Sequence, residues 1–138
     1  MFEPKNMKIN QSKSIKINGI VVKGRQEGRK IGFPTANIDP KFYTPPLQKT
    51  QHGIYATRTY YDGKIYNSIT NYGTAPAYNF DKVIFETYIF DFDQDLYDRR
   101  IEVEVVEFIR PVMNFGTIDS LVIQIKKDCQ QAHKILRK

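Results

Sequence analysis

Three short constellations in this 138-residue sequence carry residue types that chemistry on a phosphate would use. The first is Gly24-Arg25-Gln26-Glu27-Gly28-Arg29-Lys30-Ile31-Gly32, in which glycine recurs at every fourth position. Glycine lets main-chain N–H groups turn inward and approach an anion closely, and Arg29 adds charge, so this run could cradle a phosphate. It is not the Walker pattern: Gly19 and Gly24 keep the four-residue gap, but Arg25-Gln26 stand where Lys-Ser/Thr is required. The same spacing also suits a mobile surface loop. The second is Pro34-Thr35-Ala36-Asn37. In an extended segment residues two apart share a face, so the Thr35 hydroxyl and the Asn37 amide oxygen project together. Both are hard, neutral oxygen donors of the kind Mg²⁺ takes alongside phosphates and waters, although Thr and Asn more commonly satisfy backbone groups in turns. The third is Glu86. Strand alternation sets it beside Ile84, Tyr88 and Phe90, opposite Val83, Phe85, Thr87 and Ile89. A carboxylate among large, mostly apolar neighbours loses hydration, its pKa rises, and it becomes a better proton acceptor for a hydroxyl nucleophile. A wet barrel rim or an arginine partner would serve such a carboxylate equally well.

These residues need elements to hold them. Residues 1–14 lack apolar periodicity and read as a flexible basic leader, leaving 15–138 as the folded domain. Ile15 to Val22 alternates as a strand, and the glycine-dense loop then leads into a short extended segment through Ile38, with Pro34 arguing against helix. Pro40, Pro45 and Pro46 punctuate a second loop. Gly53 to Tyr61 and Lys64 to Thr70 flank Asp62-Gly63, a hairpin signal because both positions tolerate positive φ. Asn71 to Asp81 reads as a loop, Val83 to Phe90 as a strand, Asp91 to Asp95 as an acidic turn and Arg100 to Ile109 as a half-buried strand. The period then changes. Ile118, Leu121, Val122, Ile125, Cys129, Ala132 and Leu136 recur at helical spacing behind an N-cap at Thr117. The fold class expected is all-β: a short antiparallel sheet closed into a barrel to remove its edges, with a C-terminal α-helix.

Composition bounds the rest. A chain of this length with 41% hydrophobic residues supports one domain, burying roughly two thirds of its unfolded surface. No run approaches the roughly 18 apolar residues of a membrane span, and Met1 to Lys16 is too polar for a secretory signal, so a soluble, cytoplasmic protein is expected. Cys129 is the single cysteine and permits no internal disulfide; with His52 and His133 as the two histidines, no Cys/His zinc site can be assembled. These three read as structural or surface residues. The net charge of +6 lies almost wholly in the first 40 residues, which hold eight Lys/Arg against three Asp/Glu. A solvated leader, a nucleic-acid arm and an anion site around Lys23, Arg25, Arg29 and Lys30 are the competing explanations.

Gly19-Ile20-Val21-Val22-Lys23-Gly24 followed by Gly28-Arg29-Lys30-Ile31-Gly32-Phe33-Pro34-Thr35-Ala36-Asn37-Ile38 resembles the signature of riboflavin kinases, including the kinase half of bacterial bifunctional FAD synthetases. Gly53-Ile54-Tyr55-Ala56, Glu86 ahead of Asp91-Phe92 and Asp95-Leu96-Tyr97, and Arg110 and Phe115 before a helix with Gln124-Ile125 and Asp128 extend the likeness over about Ile17 to Ala132. The resemblance implies a six-stranded Greek-key antiparallel barrel that transfers the ATP γ-phosphoryl group to the 5′-hydroxyl of riboflavin, giving FMN. It implies Thr35 and Asn37 as ligands of Mg²⁺ and nucleotide, and Glu86 as catalytic base. Gly24, Gly28, Arg29, Gly32 and Pro34 would lie at the phosphates and Arg110 near the flavin.

Two segments depart from the family pattern. Where it commonly reads Asn-Ile-Gly-x-Arg-Pro-Thr, this chain has Asn71-Tyr72-Gly73-Thr74-Ala75-Pro76-Ala77, losing a guanidinium and a hydroxyl; where a glycine usually follows Asp-Leu-Tyr, it has Asp98. A flavin- or nucleotide-binding module with weakened catalysis is therefore a second reading, and a single-stranded nucleic-acid binder on a small barrel a third. Nothing in the chain resembles the adenylyltransferase half, so FAD formation is expected from a separate enzyme or domain. The expectation for the chain is a monomer acting on ATP and riboflavin, with no nucleic-acid or membrane partner.

Overall fold

In the computed structural model, residues 14–24, 26–76 and 80–137 are described. The period-two pattern builds six strands: β1 (Ile15–Val22), β2 (Ala36–Ile38), β3 (Gly53–Tyr61), β4 (Lys64–Ala75), β5 (Phe80–Ile89) and β6 (Arg100–Pro111). Every pairing is antiparallel, and the spatial order β1-β2-β5-β4-β3-β6 closes on itself, which removes the sheet edges. Strands β3, β4 and β5 follow one another, and β6 returns to lie beside β3, the Greek-key arrangement. Asp62 and Gly63 turn the β3–β4 hairpin with φ of 52° and 76°, both positive as a two-residue turn of matching twist requires.

Alternation divides the apolar side chains into two cores. Inward-facing Ile17, Val21, Ile38, Tyr55, Phe85 and Val103 fill the barrel. At one level of its interior the packing is polar: Thr57, Thr59, Ser68, Thr70 and Thr87 are fully buried and bond to one another at 2.7–3.0 Å. Outward-facing Ile54, Ala56, Ile69 and Phe90 form the second core with Ala132, Ile135 and Leu136 of the long C-terminal helix (Ile118–Leu136). Thr117 caps that helix, its hydroxyl accepting from the Ser120 amide at 3.1 Å, with Ser120 completing a capping box.

Four expectations are corrected. The segment read as a loop over 71–81 is largely strand, because β4 continues to Ala75 and β5 begins at Phe80. Gly73 at φ 153° and a register shift between Gly73 and Ala75 absorb the turn residues without ending the sheet. The glycine loop contains one helical turn (Glu27–Lys30), and the proline-rich loop holds a 3₁₀ turn (Pro40–Phe42) and a helical turn (Pro45–Gln48). Ile118, assigned to the apolar stripe, is 46% exposed at the start of its helix, whereas Asp128 is buried. The expected leader falls almost wholly outside the described residues, as do Arg25 and Ala77.

Candidate active site

Barrel register brings the predicted residues together. Asn37 of β2 and Asn71 of β4 are both paired with Glu86 of β5, so three polar side chains form one row across three strands on the outer face. Thr35, just before β2, donates its hydroxyl to Glu86 Oε2 at 3.1 Å. Burial raises the Glu86 pKa above the usual carboxylate value, with the donors Thr35 and Asn71 pulling it partly back.

Glu86 stands at the meeting of two clefts, with a third adjoining through Thr35. An apolar cleft of about 740 Å³, including its open mouth, runs between the barrel wall and the C-terminal helix; Phe33, Tyr88, Phe115, Leu121 and Ile125 line it along with Thr35, Asn71 and Glu86. Phe33 meets Tyr88 edge-on, ring centres 5.2 Å apart. A more polar cleft lies between the glycine loop and the acidic turn, bounded by Lys23, Gly24, Arg29, Pro34, Asp95 and Tyr97, and Thr35 borders it as well. The Lys23 ammonium sits 5.2 Å from the Tyr97 ring centre. A third opening joins Gly24, Gly28, Asn37, Tyr43 and Glu86.

Glycine is demanded at two of the predicted loop positions. A Cβ on Gly24 would run into the Asn37 amide, and one on Gly28 would strike the Phe33 carbonyl. The Phe33 amide closes that loop by donating to the Gly28 carbonyl at 2.7 Å. Gly32 supplies the turn itself at φ 92° and lines none of the three clefts. Arg29 is exposed at the rim of the polar cleft.

Arg110 reaches the wall of the apolar cleft, but its guanidinium is already engaged. Its Nε donates to both Asp128 carboxylate oxygens at 2.9 and 3.1 Å and Nη2 donates to Oδ2 at 2.8 Å, while Nη1 donates to the Pro111 carbonyl at 3.1 Å. Gln124 adds a bond to Asp128 at 3.0 Å, and Arg110 lies 5.6 Å from the Phe115 ring centre. Asp128 was legible as a carboxylate on an apolar helical stripe, seven residues after Leu121, a placement that demands a buried cation. Asn71 had no comparable signal: its significance comes from pairing with Glu86, which needs the register. Burial pushes the Cys129 thiol up to about 11, which leaves it a packing residue and not a nucleophile.

The oxygen set suits a hard cation. A hydroxyl has one proton to donate and two lone pairs, so Thr35 can bond Glu86 and still offer electrons, while the glycine at position 24 leaves the Asn37 amide room at the same junction. Among the described residues no group of three or more His, Cys, Asp or Glu gathers as a competing metal site.

Comparison with known proteins bears on this arrangement. A family model described as flavokinase, riboflavin kinase, matches residues 11–136. The bifunctional riboflavin kinase/FMN adenylyltransferase of Haemophilus influenzae is 37% identical over 121 residues, covering 87% of this chain and 38% of that protein. An RNA-binding riboflavin kinase of Bacillus subtilis is 38% identical over 114 residues, covering 81% and 47%. The crystal structure of Trypanosoma brucei riboflavin kinase superposes with a TM-score of 0.61 at 23% identity, covering 89% of this chain and 80% of that one, a likeness of fold. The chain thus spans less than half the length of these two curated relatives.

Proposed function

The chain belongs to the riboflavin kinase family, and from that premise we propose that it phosphorylates riboflavin at the 5′-hydroxyl with ATP, yielding FMN and ADP. The observation that carries this reading is the bond from Thr35 to Glu86 at the point where the apolar and polar clefts meet. An isoalloxazine ring suits the aromatic and aliphatic cleft under the helix, and a nucleotide suits the cleft flanked by the glycine loop and Tyr97. The reacting hydroxyl and the terminal phosphate would then meet beside Glu86.

Phosphoryl transfer depends mainly on positioning and on neutralising charge. Thr35 and Asn37 would hold Mg²⁺, which when bound supplies charge neutralisation to the phosphates. Glu86 accepts the proton of the attacking alcohol, and its apolar surroundings strengthen it as an acceptor. Main-chain N–H groups around Gly28 and Arg29 line the path of the phosphates. Phe33, Tyr88 and Phe115 keep water from the flavin side, and the Arg110–Asp128 pair fixes the wall on which Phe115 rests.

A second reading, a binding module with weakened catalysis, draws on Ala75, which borders both the apolar cleft and the opening beside Asn37 where the family pattern carries arginine. Incubating the pure protein with riboflavin and Mg-ATP separates the two, since a module without catalysis yields no FMN. We assign the protein a monomeric, cytoplasmic role, with an FAD-forming adenylyltransferase, as a separate enzyme or domain, as the consumer of its product. No nucleic-acid partner is assigned: in the described part of the basic N-terminal region, Lys23 lies over Tyr97 and Lys30 pairs with Glu27 at 3.4 Å. Salt-sensitive oligonucleotide binding would reverse that assignment.

A further inference from the structure

Register places Asn71 opposite Glu86 on one side and opposite Ile54 on the other, and it lines the apolar cleft with both. Its amide nitrogen donates to the Thr74 carbonyl at 3.3 Å. Its side-chain oxygen is buried and has no hydrogen-bond partner among the described residues. Folded proteins pair nearly all such atoms, because an acceptor removed from water and left open works against the folded state. The neighbouring polar groups are committed elsewhere, Thr35 to Glu86 and Arg110 to Asp128. Asn71 lines the cleft beside the candidate base, where a group brought by a bound molecule could satisfy that acceptor.

We propose that Asn71 determines specificity for the polyol chain of the acceptor, its Oδ1 taking a hydrogen bond from a side-chain hydroxyl of the bound flavin. The inference rests on the riboflavin kinase reading. The chemistry follows from what the cleft lacks. Its ring-sized apolar portion, lined by Leu121 and Ile125, makes no use of a hydrogen-bond acceptor, and an isoalloxazine offers few donors. An alcohol that reaches Glu86 from the apolar cleft brings its preceding hydroxyls past Asn71, the one of the two register partners of Glu86 that lines this cleft. A neutral acceptor there selects a flavin with a hydroxylated chain over one without.

The test compares riboflavin with lumiflavin, which carries the same ring system and a methyl group in place of the polyol chain. Binding of each to the full chain, wild type and Asn71→Leu, is followed by flavin fluorescence, and the ligand-free proteins are melted in parallel. Riboflavin affinity is expected to fall about tenfold in the variant, the scale of one buried hydrogen bond, while lumiflavin affinity stays within about twofold. Equal loss of both flavins, or loss of neither, overturns the proposal. Should the Leu variant not fold, Asn71→Ala in the same paired assay decides by the same criterion. Wild-type protein that binds neither flavin would instead overturn the riboflavin kinase reading itself, and this inference with it.

Discussion

Asn37 and Glu86 are register partners on β2 and β5, so an amide and a partly buried carboxylate that line one opening occupy adjacent places on the barrel's outer face. Adjacency of this kind comes from strand pairing; the glycine loop borders Asn37 and Glu86 on one side, and the segment before the long helix lines the apolar cleft at Glu86 on the other.

Glu86→Gln should keep riboflavin and nucleotide binding while turnover falls by at least about a hundredfold, the scale of general-base effects. Gln retains an acceptor for the Thr35 hydroxyl, so the geometry around β2 survives and only the proton acceptor is lost. Steady-state rates with binding constants from titration check this. Turnover near the wild-type rate would remove Glu86 from its assigned role.

The same substitution should stabilise the protein when it is free of ligand and metal. Burial raises the Glu86 pKa in the folded state, so folding favours the protonated form. A carboxyl shifted upward contributes its stability below the unfolded-state pKa and loses it as pH rises through the folded-state value. At neutral pH the wild type therefore carries the cost of a buried charge that Gln does not. Thermal melts in chelator should show Glu86→Gln melting higher at pH 7, with the gap narrowing as pH falls through the raised folded-state value and levelling off below the ordinary carboxylate range. A gap independent of pH would mean that the charge is not its source.

Much of this was legible in the residues, and the exceptions have physical reasons. Asp62-Gly63, Thr117 and the alternation around Glu86 are local signals, written in backbone preference and side-chain period, and the structure follows them. The end of β4 was not readable, because Gly73 and Pro76 suggest a loop whereas pairing with β5 overrides them up to Ala75. The hydroxyl cluster inside the barrel was hidden for a related reason: Thr57, Ser68 and Thr87 look like ordinary strand residues until closure brings their faces together. The convergence of Thr35, Asn37 and Glu86 depends on which strands neighbour one another, and that information is absent from any single segment.

Gly24→Ala should raise KM for Mg-ATP by about tenfold or more with little change in melting temperature or riboflavin affinity. The added methyl would displace the Asn37 amide, while Gly24 itself is exposed and outside the core. Nucleotide titrations at fixed riboflavin distinguish this from a general loss of fold, which would weaken both substrates together.

Asp98→Gly should raise stability by about 0.5 kcal/mol. Asp98 holds φ at 68° where the family pattern has glycine, and its amide donates to the Val21 carbonyl at 2.9 Å, tying the turn before β6 to β1. Aspartate tolerates the left-handed region better than most residues, which explains why the departure leaves the turn intact. Glycine would relieve the remaining strain at some entropic cost. Chemical denaturation of the two proteins measures the difference; a clear loss on introducing glycine would show that the Asp98 side chain contributes more than its backbone geometry costs.

Asp128→Ala should destabilise the fold by about 3–5 kcal/mol, because it strands the Arg110 guanidinium against the helix with no counter-charge. The Arg110 side chain is only 13% exposed and Asp128 2%, so solvent replaces the lost partner only in part. Replacing both, as Arg110→Met with Asp128→Leu, should recover most of that loss, since an apolar pair of similar volume carries no desolvation cost. Riboflavin binding then separates support from stability. The double variant lacks the cation beneath Phe115 and the bond to the Pro111 carbonyl, both of which order the segment entering the helix. It should therefore melt near the wild type yet bind riboflavin more weakly. Wild-type affinity in a well-folded double variant would reduce the pair to a packing device and leave the cleft's shape to the apolar residues alone.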